Sequence, residues 1–362
     1  MKFAEKKVAE EMVSKRYPEI TASGSPYEIG QQIGEAARDK IRGFSAIALD
    51  RVNKTINISP EKALAIARAS AESAEQYAPH LLEELRGMSA ASGVSLDDLM
   101  ILQVRNQFTS ESDSGCTSFA VHARSCAQGH TIVAQNWDND PELDKFTVVL
   151  TRRPIDKPAL MNVTQAGLIA YIGFNNEGIG ACVNTLPAPS RPVGVPHYFI
   201  LRTIYEKCCL EDALETVQHA ERAIPANIIL STPQGPANLE ITMNAVHVLR
   251  DEKLVTHTNH CLHPELVEIN DHFPELIESG PRKSRIDSLL GTENSTIAID
   301  HMKMALRDHS GYPQSICRHP NDHPETGFWT TVFSVIIDPV AGEMHLTRGV
   351  PCKQPYEIYR MT

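Results

Sequence analysis

The hydrophobic rhythm of the chain changes at Cys116, and that change restricts the fold more than any other feature of the sequence. Upstream, apolar residues recur at helical spacing; downstream, the period falls to about 2 and β-branched and aromatic residues gather in short runs. Ile29, Ile33, Ala37 and Ile41 share one helical face, with Arg38, Asp39 and Arg42 between them. Ser59 followed by Pro60 and Glu61 is an N-cap with proline at the first helical position, and predicts a helix to about Gln76. Another helix is predicted over His80 to Met88, stopping near Gly93. Ser95 then caps Leu96 to Phe108, with Asp97 and Asp98 where the helix dipole favours negative charge.

Beyond Cys116, strands are predicted at Thr117 to His122, His130 to Trp137, Phe146 to Arg152 and Ala159 to Ile172. Asn175-Asn176-Glu177-Gly178 turns into a strand over Ile179 to Leu186. Helices resume at Tyr198 to Cys208 and Glu211 to Ala223, followed by strands at Ile228 to Ser231, Asn238 to Met243, Ala245 to Leu249 and Leu254 to His257. Helices at Lys283 to Leu290 and Ile297 to Arg307 precede a closing hairpin, Thr330 to Ile337 and Glu343 to Arg348, turned at Asp338 to Gly342. Strands in two blocks and helices in two blocks predict an α+β chain of two stacked sheets covered by helices on both outer faces. No internal repeat or low-complexity linker interrupts this order.

The 362 residues, 42% of them apolar, suffice for a substantial core. A formal charge of -11, with no Lys/Arg run of five or more, excludes the concentrated cationic surface that nucleic acid requires. No apolar run approaches the roughly 20 residues that span a bilayer, and Lys2 through Arg16 has no apolar signal region. A soluble, cytoplasmic protein with no membrane partner is expected. The C-terminus, Tyr359-Arg360-Met361-Thr362, does not match a peroxisomal Ser-Lys-Leu signal. Eight cysteines (Cys116, Cys126, Cys182, Cys208, Cys209, Cys261, Cys317 and Cys352) are irregularly spaced, without a CxxC pair, so reduced thiols are the expectation.

Most of these thiols read as small buried apolar residues. Cys116 has a second reading, because it sits in Gly115-Cys116-Thr117-Ser118-Phe119 at the helix-to-strand change. Were the bond before it cut, one residue would carry both a thiol nucleophile and a free α-amine. A thiol of pKa about 8.5 needs a base at pH 7, and an α-amine of pKa about 7.7–8.0 is matched to that task. Gly115 suits a scissile position through its conformational freedom and small size. Thr117 and Ser118 either hydrogen-bond the scissile region or simply begin a strand.

Gly115-Cys116-Thr117-Ser118-Phe119-Ala120-Val121, Gly129-His130-Thr131 and Gln135-Asn136-Trp137-Asp138 together resemble the acyl-coenzyme A:6-aminopenicillanate acyltransferase (isopenicillin N acyltransferase) family of N-terminal nucleophile hydrolases. Gly24 to Gly30 and Arg105-Asn106 are similar to its precursor segment, Asn175 to Gly180 with Asn184 to the related choloylglycine hydrolases, and Thr258-Asn259-His260 to an oxyanion segment. The resemblance implies a four-layer αββα sandwich and self-cleavage between Gly115 and Cys116. A light segment, 1–115, and a heavy segment, 116–362, would then remain together as one domain. It implies Cys116 as nucleophile, Asp138 as partner of the new α-ammonium, Asn259 as oxyanion donor and Asn184 as a second donor. The substrate is expected to be a small N-acyl amide or an acyl-CoA thioester, with no cofactor and no metal. In the uncut chain the residues before Cys116 are expected to fill the pocket.

One departure touches the substrate. The penicillin acyltransferases imply an arginine just before the closing strand, where this chain has Phe328-Trp329; Arg318 is the nearest replacement. A relative acting on β-alanyl or other small N-acyl amines is therefore an equal expectation. Other readings stand beside these: Asp138 as a turn aspartate, Asn184 and Asn259 as loop residues satisfying backbone, Trp137 as core. A different class of function starts from His257, His260 and His263, with Cys261, His319 and His323, as a zinc site that activates water. A catalytically silent binding protein of the same fold is the remaining alternative.

Overall fold

The computed structural model describes residues 15–54, 56–108, 115–272, 278–291, 296–324 and 327–362. The first segment supplies β1 (Glu19–Gly24), α1 (Pro26–Ala36), α2 (Arg38–Val52), α3 (Pro60–Tyr77), α4 (Pro79–Ser92) and α5 (Leu96–Val104). Helices α3 and α4 start and stop close to where the sequence predicts, whereas the face shared by Ile29, Ile33, Ala37 and Ile41 is divided at Ala37 between α1 and α2. Ser25, Ser59 and Ser95 each accept a first-turn amide, and Gly93 ends α4 at φ 74°. The predicted α5 is shorter, passing into a 3₁₀ turn at Arg105–Gln107. Helices α1 and α4 pack backbone to backbone: a Cβ on Gly30 would lie 1.9 Å from the Glu84 carbonyl oxygen, and one on Gly87 2.1 Å from that of Tyr27.

The strands form two sheets. The first contains β1, β4 (Thr147–Pro154), β5 (Leu160–Gln165), β6 (Ile172–Asn175), β7 (Gly180–Asn184), β8 (Ala226–Ser231), β9 (Ala237–Ile241) and β10 (Val246–Leu249), in that order. The second has the order β11 (Leu254–His257), β2 (Cys116–Val121), β3 (Ile132–Asn139), β12 (Thr330–Asp338), β13 (Glu343–Leu346) and β14 (Glu357–Arg360). Strand β1 runs parallel to β4, with Glu19 opposite Val149, and so stitches the first segment into the heavy one. Helices α6 (His197–Ile204) and α7 (Leu210–His219), with the first-segment helices, cover the first sheet; α8 (Ser279–Leu290) and α9 (Ile299–Leu306) cover the second. This is the four-layer αββα arrangement.

The period of 2 in β2 and β3 assigns side chains to the two cores. Cys116, Ala120, Val133 and Trp137 face the first sheet, whereas Phe119, Val121, Ile132 and Ala134 pack beneath α8 and α9. Gln135 pins the sheets together: its amide nitrogen donates to Val183 O on β7 and its oxygen accepts Val183 N–H at 2.9 Å. Between α4, β4 and α6 lies a buried ion network in which Arg152 Nε donates to Glu84 at 2.7 Å and Arg202 to Glu206 at 2.8 Å.

Two expectations are corrected. The predicted strand Ala159 to Ile172 is β5 and the start of β6, separated by a buried turn in which Gly167 adopts φ 105°. Because Ala166 through Tyr171 are all buried, an apolar run conceals the turn. Strands β1 and β14 are additions to the predicted set; each is short and mixes charged with apolar residues.

Candidate active site

Cys116 opens β2, opposite Trp137 on β3, and the Gly115 carbonyl accepts Asp138 N–H at 3.1 Å. On the other side, β11 pairs with β2 as far as His257 opposite Ser118. Two residues further on, where backbone pairing has ended, the Asn259 side chain takes over: its Oδ1 accepts Cys116 N–H at 2.9 Å. Arg282 Nη2 donates to the same oxygen at 2.9 Å. Both partners can only donate, which settles the orientation of the amide. Asn259 Nδ2 faces the other way, to Thr185 Oγ1 at 2.9 Å.

Arg282, near the start of α8, is the hub that sequence reasoning did not identify. Its Nη1 donates to the Cys116 carbonyl and, at 3.1 Å, to Thr117 Oγ1. Arg318 reaches the same place. It precedes β12 by a dozen positions, yet its N–H donates to Thr331 Oγ1 at 3.0 Å and its carbonyl accepts Thr331 N–H at 3.2 Å. Its Nη1 binds Glu278 at 3.0 Å and would lie 2.8 Å from a Cβ placed on Gly115. Gly115 therefore matters for its missing Cβ rather than for a left-handed backbone, since its φ is not positive. Residues 109–114, expected to fill the pocket, lie outside the described residues.

Asp138 is a strand residue, fully buried, on the face of the second sheet that carries these arginines. Its Oδ1 accepts Thr331 Oγ1–H at 2.7 Å; its Oδ2 has no hydrogen-bond partner among the described residues and would lie 3.3 Å from a Gly115 Cβ. Burial pushes the Asp138 carboxyl up to about 7, against the opposing pull of Arg282 and Arg318. Burial, with the Asp138 charge added, pushes the Cys116 thiol up to about 12, although Arg282 and a Gln135 hydrogen bond favour the thiolate. In this uncut chain Cys116 is a protonated thiol.

Asn184, at the end of β7, accepts Ser118 Oγ–H through Oδ1, and its buried Nδ2 has no hydrogen-bond partner among the described residues. Thr117 and Ser118 bear out the strand expectation, and no hydroxyl bond from either to the Gly115–Cys116 peptide occurs among the described residues. Their hydroxyls address Arg282 and Asn184. Trp137 is core: it stacks on Phe333 with centroids 4.9 Å apart and donates Nε1–H to Tyr171 at 2.9 Å.

The histidines expected as zinc ligands do not converge. Both ring nitrogens of His257 are engaged, by Thr258 O and Glu240 Oε1 at 2.8 Å each. His260 pairs with Ser279 Oγ at 2.8 Å, and burial, with His257 nearby, lowers it to about 4. His263 groups instead with His247 and Glu265, His319 belongs to a separate group, and neither Cys261 nor His323 joins either group.

Known proteins resemble this chain over most of its length. Residues 125–352 match the family described as acyl-coenzyme A:6-aminopenicillanic acid acyl-transferase. The chain is 27% identical over 358 residues to the 40 kDa form of acyl-coenzyme A:6-aminopenicillanic-acid-acyltransferase from Emericella nidulans, covering 95% of each chain. Among solved structures, penicillin V acylase from Agrobacterium tumefaciens matches at TM-score 0.45 and 12% identity, over 68% of this chain and 86% of that one. A mutant form of conjugated bile acid hydrolase from Clostridium perfringens matches at TM-score 0.42 and 10% identity, over 68% of this chain and 97% of that one. With a family match across most of its length, and a fold of the kind the resemblance implies, the chain belongs to the acyl-coenzyme A:6-aminopenicillanic acid acyltransferase family.

Proposed function

We propose that the protein cuts itself between Gly115 and Cys116 and then uses Cys116 as an N-terminal thiol nucleophile on a small N-acyl amide or acyl-CoA thioester. The observation that carries this reading is that Asn259 Oδ1 accepts the Cys116 N–H at 2.9 Å while Asp138 Oδ2 and Arg282 Nη2 lie 3.3 and 3.7 Å from where a Gly115 Cβ would stand. In maturation, Cys116 Sγ attacks the Gly115 carbonyl carbon, the peptide nitrogen gains a proton and leaves as the new amine, and water hydrolyses the resulting thioester. Asp138 lies beside the bond with a carboxyl near 7, suited to passing that proton. Residues 1–115 and 116–362 then stay together through the β1–β4 ladder and the ion pair of Glu84 with Arg152.

In turnover the freed amine takes the thiol proton as sulfur attacks the substrate carbonyl. Asn259 Oδ1, which already accepts the Cys116 N–H, holds that amine, and Asp138 pairs with its charged form. The Asn184 Nδ2 is a buried donor awaiting an acceptor, as an oxyanion requires; Asn259 Nδ2 joins it by exchanging its bond to Thr185. The thioester then passes to water or to an amine acceptor. Arg318, folded back onto Thr331, supplies the cation near Gly115 that the sequence lacks just before β12, and a carboxylate-bearing substrate would meet it there. A chemistry that depends on a free thiol suits the reducing cytoplasm.

The test is a denaturing gel with N-terminal sequencing of recombinant protein. A light piece of about one third of the mass is expected, with a heavy piece that begins at Cys116 and becomes acylated on that residue. Cys116→Ala should stay full length and inert. A wild-type chain that turns over N-acyl amines, β-alanyl amines or acyl-CoA thioesters without being cut would overturn the proposal.

A further inference from the structure

His309, Cys317, His319 and Cys352 come together where the end of α9, the loop leading to β12 and the turn after β13 meet, apart from the chemistry proposed for Cys116. Their ligand atoms all lie within 4.8 Å of one another. His319 Nε2 is 3.1 Å from His309 Nε2, 3.6 Å from Cys317 Sγ and 3.5 Å from Cys352 Sγ. A tetrahedral zinc ion with Zn–N near 2.05 Å and Zn–S near 2.3 Å spaces its ligands about 3.3 Å for a nitrogen pair and about 3.6 Å for nitrogen and sulfur. The three separations match those edges to within a few tenths of an ångström. Two thiolates and two neutral imidazoles form a set suited to zinc, and four protein ligands leave no position open for water.

The geometry points to a closed, structural Cys₂His₂ zinc site made by His309, Cys317, His319 and Cys352. Binding converts two thiols to thiolates and releases two protons to solvent, so the ion and its ligands sum to zero charge. That neutrality suits a place where Cys317 and His319 are buried and Cys352 is half-buried. The backbone already holds the ligands in place: Cys317 N–H donates to Asp308 O at 3.0 Å, His319 N–H to Pro313 O at 2.9 Å, and Arg307 Nε to Pro351 O at 2.9 Å. The last bond ties α9 to the turn bearing Cys352. Cys317 and His319 also bracket Arg318, so zinc would pin the backbone on both sides of the residue that reaches Gly115. The site stands independently of the acyl-transfer reading and revises the expectation of a metal-free protein without placing metal in the chemistry.

The experiment uses the full chain, stripped with chelator under reducing conditions and titrated with zinc or cobalt(II). About one equivalent per chain should bind, with a thiolate-to-cobalt charge-transfer band, the ligand-field spectrum of tetrahedral cobalt, and a Tm increase of a few degrees on adding zinc. His309→Ala, at an exposed position, should keep the metal-free Tm and weaken binding by more than the roughly 10–100-fold that loss of a supporting outer contact costs. Cys352→Ser should diminish the charge-transfer band. Binding by wild type no tighter than by His309→Ala would overturn the site. So would a Cys317–Cys352 disulfide in native protein that, once reduced, takes up no metal.

Discussion

Two buried clusters in this molecule are built from the same parts, two arginines and two carboxylates, and they behave in opposite ways. In the structural cluster, Arg152 and Arg202 reach Glu84 and Glu206, and His80 and Lys157 also bind Glu206. Burial alone raises the Glu206 carboxyl, but His80, Arg202 and Lys157 outweigh it and hold the group at about 2. In the cluster beside Gly115, Arg282 and Arg318 stand near Asp138 and Glu278, yet Asp138 keeps one oxygen unpartnered and burial takes it up to about 7. Among the described residues Arg282 Nε and Arg318 Nε are unpartnered, but so is Arg202 Nε in the first cluster, so the difference lies in the carboxylates. Nearby charge is not the same as a hydrogen bond: the Glu84 and Glu206 oxygens are all engaged by cations, while Asp138 has one oxygen without a hydrogen-bond partner among the described residues.

The largest expected effect that would break this contrast is on stability. Arg152→Met removes the closer of the two arginine partners of a fully buried Glu84 and should cost about 3–5 kcal/mol in denaturant unfolding. Arg282→Met should cost less near pH 6, about 1–3 kcal/mol, because Asp138 takes up a proton instead of remaining an unpaired charge. The same variant should slow self-cleavage far more than Arg152→Met does, since it loses the contacts to the Cys116 carbonyl and to Asn259. Equal stability losses, or equal cleavage rates, would erase the distinction between the clusters.

A smaller effect sharpens the contrast within the reactive cluster. Asn259→Ala is expected to leave the chain cut, or nearly so, and to lower turnover about 10²–10³-fold through loss of an oxyanion donor. Normal turnover by purified, cut Asn259→Ala would remove that role and leave Asn259 as a holder of the Cys116 nitrogen alone.

Much of the frame is legible in the sequence, and the reason is locality. Caps such as Ser59 before Pro60 and the period change at Cys116 act over a few residues, so the helices and the strand that begins at Cys116 can be placed. Asn259 and Asp138 enter through the resemblance of short motifs, and both lie at the Gly115–Cys116 unit. Arg282 escapes because its contact with Cys116 spans 166 positions and its local setting, Pro281-Arg282-Lys283, reads as an ordinary helix start. Arg318 reads as too distant from β12, since no local signal shows its chain folding back to bond Thr331. The sequence reading groups His319 with His257, His260, Cys261, His263 and His323, whereas the fold joins it to His309, Cys317 and Cys352.

The smallest expected effect is a pH dependence whose sign differs between the clusters. Asp138 is raised from 3.8 to about 7, so its contribution to stability is fully present below the unfolded value and is lost as pH rises through about 7. Glu206 is lowered from 4.5 to about 2, so its contribution is present above the unfolded value and is lost as pH falls through about 2. One proton changes stability by about 1.4 kcal/mol per pH unit inside its window, which makes the step from about pH 5.5 to 7 worth about 2 kcal/mol for Asp138. The slope is to be read in the uncut Cys116→Ala chain, where Asp138→Asn should flatten it in denaturant unfolding and leave the acid limb due to Glu206 unchanged. Self-cleavage should run the other way, rising through about pH 7 in wild type as the carboxylate forms, because the ionised group that strains the fold is the one that accepts the proton. A stability profile of uncut Cys116→Ala without a slope in that window would mean that Asp138 is as fully satisfied as Glu206 and that the oxygen beside Gly115 carries no stored free energy.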